Sequence, residues 1–389
     1  MGKFKDWIRQ LTASLGLAGW SETARKIEWG RVEIQECHSY SFPKLLTAPD
    51  AVPEVLMSDG MASVMHAIKQ RDKCPIAVVL PGNETLLFRD FMLPAVETKK
   101  LPVIVKYEAS QQIPFDLREV TWQSLYAGPL EIEGDFTLSG NILLAAVKNE
   151  CVARSLSQFG DLQSRLDLLT IEQLIIAELG RALLQGDETV VLLDMHAGRT
   201  QLCLVNRGSV RCRDLPIGGD NFTRKLMTVS KMPFSTAEHL KKALVDSRDH
   251  KYILQEMHPE FKELVGQIER SLKIWRVDDK SLTFSKLYIT GGPTKLPGLG
   301  PYLKESLGLK VESLATVKPS DNDLGEAMSS ECAAATVVAL QRLGYGHFRT
   351  NFLPNAFGFG LKEKSAAWGI KLGNAGISAV KVSLRDSKA

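Results

Sequence analysis

The strand pair at residues 367–384 constrains the fold more than any other segment. AWGIKLGNAGISAVKVSL reads as two strands joined by a Gly373-Asn374-Ala375-Gly376 turn. An isolated strand pair is marginal in water and needs further strands beside it. Those strands come either from much earlier in the sequence or from a neighbouring molecule. VVLLDMHAGRTQLCLV (190–205) is a second strand-turn-strand unit, and LYITGGPTKLPGL (287–299) is a strand running into a glycine turn.

At 389 residues the chain exceeds one simple core, so two lobes are expected. Apolar residues make up 44% and charged residues 24%, the balance of a soluble globular protein. A net charge of +3, with no basic and aromatic stripe, argues against a nucleic-acid partner. The cysteines, Cys37, Cys74, Cys151, Cys203, Cys212 and Cys332, include no Cys-x-x-Cys pair and no zinc-like spacing. They read as thiols in a reducing compartment. No apolar run approaches the ~18 residues of a membrane span. The start lacks an apolar signal core with a small-residue cleavage site. A cytoplasmic protein is expected.

Residues 1–22 read as an amphipathic helix and linker. Phe4, Trp7, Ile8, Leu11 and Leu15 fall on one face over residues 3–17, flanked by Lys3, Lys5 and Arg9. Such a helix packs on its own domain, lies on a membrane surface, or docks on a partner. A strand at 31–40 and a helix near 53–70 follow. The buried strand CPIAVVLPG (74–82) is predicted to pair with TLLFRDFMLP (85–94) as a hairpin. Next come a helix over 99–115, strands at 120–128 and 141–147, a helix near 149–159, and a strand-to-helix unit at 166–184. Strands near 189–195, 200–206 and 209–214 precede a turn and helix at 216–226. Charged helices fill about 236–277. A strand at 285–292, a helix at 297–308 with Pro297 in its first turn, and an alanine-rich helix at 330–343 precede the final pair. Strand-strand-strand-helix order occurring twice indicates an α/β protein with two related lobes, and a ligand cleft is expected between them at the strand ends.

Asp194 ends an apolar strand, where a carboxylate would point into that cleft and could hold magnesium through water. Ala197-Gly198-Arg199-Thr200 is a tight turn whose amides could face a phosphate, or an ordinary turn after an Asp. Gly291-Gly292 offers close backbone approach or a simple turn. There is no G-x-x-x-x-G-K-[ST] and no Ser-His-Asp or Cys-His arrangement.

Longer stretches resemble a known family. LPVIVKYEASQQIPFDLREVTW (101–122), DLPIGGDNFTRKL (214–226), TGGPTKLPGLGPYL (290–303) and GRVEIQECHSYSFPKLLTAPDAVPE (30–54) are similar to PilM proteins of type IV pilus assembly, which are FtsA-like. The resemblance covers about residues 30–357. It implies an α/β fold of the two-lobed actin-like ATPase (duplicated ribonuclease H-like) type, with an inserted small α+β subdomain. The first lobe would take 23–98 and 161–187, the inserted subdomain 99–160, and the second lobe 188–318. Residues 319–360 would be a return helix and exit segment, and 361–389 the family's opening hairpin moved to the end by circular permutation.

The resemblance further implies a nucleotide site for ATP and Mg. Its residues would be Asp194, as the metal residue, with Gly198, Thr200, Gly218, Gly219, Gly291, Gly292, Lys371, Gly373 and Asn374. Two departures weaken it. Lys371 stands where the family has its first phosphate-loop Asp, with Ser378 in the polar contact position, and His196 stands where it has a glycine. A degenerate, non-hydrolysing cleft follows. The family also binds a short cytoplasmic tail of the inner-membrane protein PilN, with an Asn-Leu-Leu-Pro-like core. Ile113, Phe115, Asp116, Arg118 and Glu119 would form that contact. Residues 350–354, TNFLP, either mimic the tail or form an ordinary extended exit. The expected function is a cytoplasmic scaffold, peripheral to the inner membrane. The alternatives are a working ATPase and an FtsA-like membrane-tethered filament protein, the last with self-association or strand exchange.

Overall fold

The computed structural model of the chain describes residues 17–18, 32–44, 46, 51–68, 73–82, 85–184, 186–244, 250–314, 332–348, 350–354 and 365–384. In chain order the elements begin with β1 (Leu17–Ala18), β2 (Val32–Ser41), α1 (Pro53–Ala67), β3 (Ile76–Leu80), β4 (Thr85–Met92) and β5 (Val96–Glu97). Next are α2 (Leu101–Gln112), β6 (Val120–Tyr126), β7 (Glu131–Glu133), β8 (Phe136–Ser139), β9 (Asn141–Lys148) and α3 (Asn149–Ser157). β10 (Leu166–Ile171) leads into α4 (Glu172–Leu183). The second half holds β11 (Val190–Met195), β12 (Thr200–Val205), β13 (Val210–Leu215), α5 (Gly219–Ser230), α6 (Phe234–Ala243) and α7 (His250–Asp278). β14 (Lys286–Thr290), α8 (Leu299–Leu307), β15 (Lys310–Ser313), α9 (Ala333–Arg342), β16 (Ala366–Leu372) and β17 (Gly376–Leu384) complete it.

Two five-stranded sheets carry the lobes. The first has the order β10-β3-β16-β17-β2 and the second β13-β12-β11-β14-β15. Their central strands are near-continuous apolar runs, because helices cover both faces. Every residue of β3, β11 and β12 is buried. The two sheets have one plan. β11 and β12 form an antiparallel hairpin, and β16 and β17 form another in the matching place. Asp194 pairs with Gln201 in one and Lys371 with Ser378 in the other, each seven residues apart. On its other side each first strand has a parallel neighbour, β14 or β3.

The final strand pair therefore sits inside its own chain's first sheet, between β3 and β2. Over the hairpin lies α9, all ten of whose residues are buried. Its alanines allow close approach, and the strand meets it with a glycine. A Cβ on Gly369 would stand 1.8 Å from the carbonyl oxygen of Ala335.

A third sheet, β1-β6-β9-β4, and a small one, β5-β8-β7, build the inserted subdomain with α2. This corrects the hairpin expected between residues 74–82 and 85–94. β3 already has parallel partners on both sides, so β4 pairs with β9 instead. Pro297 precedes α8, which starts at Leu299 after Gly298 in the left-handed region. Of the helix expected over residues 3–17, Leu17 lies in β1. Phe4, Trp7, Ile8, Leu11 and Leu15 fall outside the described residues.

Arg181 of α4 joins the three bodies. Its Nη1 donates to the carbonyls of Asn206 (2.8 Å) and Arg207 (3.0 Å) in the β12–β13 turn, and its Nη2 to that of Ala127 after β6. Ser209 Oγ donates to Asp90 at 2.8 Å, and Asn141 Nδ2 to the Gly208 carbonyl at 2.9 Å. The segment after α9 lies along the free edge of β10. The Phe352 amide donates to the Leu169 carbonyl at 2.8 Å, and Phe352 is fully buried.

Gly369→Ala is expected to destabilise the protein by about 3 kcal/mol, because the methyl meets backbone that cannot rotate away. Urea unfolding of the two proteins checks this. An unchanged midpoint would mean that α9 does not press on β16.

Candidate functional site

The cleft between the lobes is lined by charge. Glu172 opens α4, a helix otherwise packed into the apolar core, and a carboxylate is favoured at a helix N-terminus. Its Oε2 accepts the Gly82 amide at 3.0 Å, at the end of β3. Its Oε1 lies 2.9 Å from Lys371 Nζ on β16 and 3.1 Å from His196 Nε2 in the β11–β12 turn. Arg199 from the same turn pairs with Glu172 through Nη2 and reaches Asp214 Oδ1 at 2.7 Å through Nη1. Glu172 and Lys371 belong to the first lobe, His196 and Arg199 to the second. One carboxylate thus ties both.

Asp194 is buried, with its Oδ2 3.2 Å from His196 Nε2. Lys371 Nζ lies 3.4 Å from His196 Nδ1. Neither Nε2 contact has the alignment of a good hydrogen bond. Gly82 makes room for the ion pair, since a Cβ there would stand 2.0 Å from Arg199 Nη2.

Burial pushes the Glu172 and Asp194 carboxyls up, but the cations opposite outweigh it. His196, Lys371 and Arg199 hold Glu172 far below the usual carboxylate range, and His196 and Lys371 hold Asp194 below it. Burial likewise disfavours the Lys371 ammonium, yet Glu172 and Asp194 keep its pKa above that of an ordinary lysine. All three are charged at neutral pH.

These residues do not fit a magnesium nucleotide. Oxygens and nitrogen of Glu172, Asp194 and His196 lie within 4.8 Å of one another, a spacing that suits a cation. Lys371 already supplies that cation, and its ammonium repels a second. Several of the donors in the surrounding turns are also taken. The Gly219 and Asp220 amides donate to the carbonyls of His196 (2.9 Å) and Ala197 (2.7 Å). Thr200 Oγ1 donates to the Ile217 carbonyl at 2.6 Å, and the Gly373 amide to that of Gly376 at 3.0 Å. Gly218 caps α5 through its amide on Asn221 Oδ1 at 3.0 Å. Asn374 offers its carbonyl to Leu46 at 3.5 Å. Around Gly198 and Gly292 there is open space, while Gly291 lies against the Met195 carbonyl.

The other expected site residues lie apart, after α2. Ile113 is buried in the inserted subdomain's core, which removes it from any surface. Phe115 is 37% exposed beneath Lys148 Nζ, 4.4 Å from its ring centre. Asp116 and Arg118 pair with each other at 2.5 Å, and the Glu119 amide closes their turn on the Asp116 carbonyl at 2.9 Å. Glu172, Gly82 and Asp214 were not foreseen as site residues. The available signal was a glutamate opening an otherwise apolar helix.

The family model of the type IV pilus assembly protein PilM matches residues 30–326, and the chain belongs to that family. No curated protein matches the sequence. Among solved structures, a PilM-PilN type IV pilus biogenesis complex is similar at TM-score 0.59 and 22% identity, over 75% of this chain and 88% of that one. The ethanolamine utilization protein EutJ from Carboxydothermus hydrogenoformans gives TM-score 0.33 at 23% identity, over 42% and 54%. MreB 5 of Spiroplasma citri bound to AMPPNP gives 0.33 at 14% identity, over 43% and 60%. The fold is the two-lobed actin-like one with several sheets. No helix among the described residues is long and apolar enough to cross a membrane.

Glu172→Gln is expected to cost about 3 kcal/mol at pH 7, because it removes the charge that Lys371 and Arg199 share in a buried site. The carboxyls' folded pKa values are depressed, so their contribution is present above the usual carboxylate pKa of about 4 and lost as pH falls through the lower folded values. For Lys371, with a raised pKa, it is present at ordinary pH and lost only as pH climbs beyond about 10.5. Urea midpoints against pH should therefore separate the two proteins most between about pH 5 and 10, and converge in acid. A constant gap down to about pH 2 would contradict this charge assignment.

Proposed function

We propose that this PilM-family protein is a scaffold of a type IV pilus or type II secretion-like assembly machine. It holds the cytoplasmic tail of a PilN-like inner-membrane partner, and its degenerate cleft does not hydrolyse ATP. The protein works in the cytoplasm at the inner face of the membrane. Family membership supports the pilus assembly role, and a similar solved structure is a PilM-PilN complex. The observation that carries the cleft reading is the Glu172 cluster, where a lysine fills the cation position.

The tail's seat is read from the protein's own extended segment. Leu169 of β10 donates its amide to Asn351 Oδ1 at 2.9 Å, and Asn351 Nδ2 donates to the Asp167 carbonyl at 2.9 Å. Gln123 of β6, in the inserted subdomain, donates to the Asn351 carbonyl at 3.2 Å. A groove between β10 and β6 thus accepts an extended peptide by edge pairing. Asn351-Phe352-Leu353-Pro354 resembles the Asn-Leu-Leu-Pro-like tail core and competes for this groove. Phe115, Asp116, Arg118 and Glu119 supply contacts along the tail's flank. The family's first hairpin stands last here by circular permutation, a reading supported by the common plan of the two sheets.

Fluorescence anisotropy of a labelled tail peptide tests the reading. Binding to the full chain is expected, with affinity about five- to tenfold higher in Asn351→Ala, whose own segment is held by fewer hydrogen bonds. No binding to either protein would overturn the partner assignment. Equal affinity would overturn the competition.

A further inference from the structure

Two pairs of thiols face each other in this protein, and they differ in access. Cys203 and Cys212 lie directly opposite on β12 and β13, with sulfurs 2.8 Å apart. Cys203 is fully buried in the core beneath α4, and burial pushes the Cys212 thiol well above its usual range. Thiolate is the reactive form, and burial disfavours it at Cys212. Cys37 and Cys332 are 295 residues apart in sequence, yet their sulfurs lie 2.6 Å apart. Cys37 is exposed on β2, and Cys332 is buried where α9 begins.

The geometry points to a modification site: we propose that Cys37 and Cys332 are a dithiol that a hydroperoxide oxidises to a disulfide, stapling β2 to α9. Cys37, the accessible member, reacts first. Its thiolate attacks one peroxide oxygen, the O–O bond breaks, and a sulfenic acid and water form. The Cys332 thiolate then attacks the Cys37 sulfur. The S–O bond breaks, water leaves with the thiol proton, and the S–S bond forms. Two thiols lose two electrons in total, and one hydrogen peroxide becomes two waters. The position gives the bond its effect. β2 pairs with β17, Cys37 lies in register with Val380, and Cys332 packs in the same cluster as Val380 and Val382. The bond would close a loop holding the second lobe, the inserted subdomain and part of the first lobe, and loops of that length lose the most freedom in the unfolded chain.

The test uses the full chain, treated with hydrogen peroxide, alkylated, digested and mapped by mass. A peptide joining Cys37 to Cys332, two hydrogens lighter than the sum of its parts and released by dithiothreitol, is expected. So is a melting temperature about 5 °C higher than that of the reduced protein. Cys37→Ser, a change at an exposed position, should lose both, whereas Cys203→Ala should keep the linked peptide. Overoxidised Cys37 without a link, alkylation at both positions, or a link found at Cys203–Cys212 instead would each overturn the proposal. None of these outcomes bears on peptide-tail binding, so this inference stands or falls apart from the proposed function.

Discussion

A single buried carboxylate, that of Glu172, holds the architecture of the cleft. Burying a charge is tolerable only when it is fully paired, and Glu172 is paired by four groups from three separate stretches of chain. The Gly82 amide comes from the end of β3, Lys371 from β16, and His196 and Arg199 from the β11–β12 turn. The ends of the central strands of both sheets are therefore fixed relative to one carboxylate. Lys371 and Asp194 hold matching positions in the two hairpins, so the twofold plan of the lobes brings a cation and an anion to the same place. The protein supplies both signs of charge to the cleft itself.

The surrounding parts secure that arrangement. α9 can lie over β16 because its residues are small and the strand answers with Gly369. Glu178, one turn and a half along α4 from Glu172, accepts the His347 and Phe348 amides at 2.8 and 2.9 Å, which turns the chain after α9 toward β10. Arg181, a turn further, caps carbonyls of the inserted subdomain and the second lobe. One helix thus organises the cleft, the exit segment and the three-body junction. Each role falls to a charged residue that the buried helix satisfies with backbone partners or opposite charges.

Much of the fold was legible because buried strands and amphipathic helices print themselves as apolar runs of different period. VVLLDM, TQLCLV and IAVVL need no partner to be read as interior strands. The choice of partner is what such runs do not encode. The strand over 85–92 alternates well enough to be a hairpin mate of β3, but β3 is shared between β10 and β16, and β4 goes to the inserted sheet. Asp194, Lys371 and the glycine turns were legible as a cleft lining. Glu172 was not, because a glutamate in a first helical turn usually reads as a solvated, dipole-favoured acid. Thr200 and Ile113 show the same limit, since a hydroxyl given to a buried carbonyl and an isoleucine given to a core look, in sequence, like exposed site residues.

The central claim is that the protein's own charges take the place of a magnesium nucleotide in the cleft. Thermal unfolding with and without millimolar Mg-ATP, on the native protein and on Asp194→Ala, tests it most directly. A ligand that binds only the folded state raises the melting temperature by mass action. The account predicts no shift for either protein. A clear rise in the native protein that disappears in Asp194→Ala would mean that a working nucleotide site survives beside Lys371, and would contradict it.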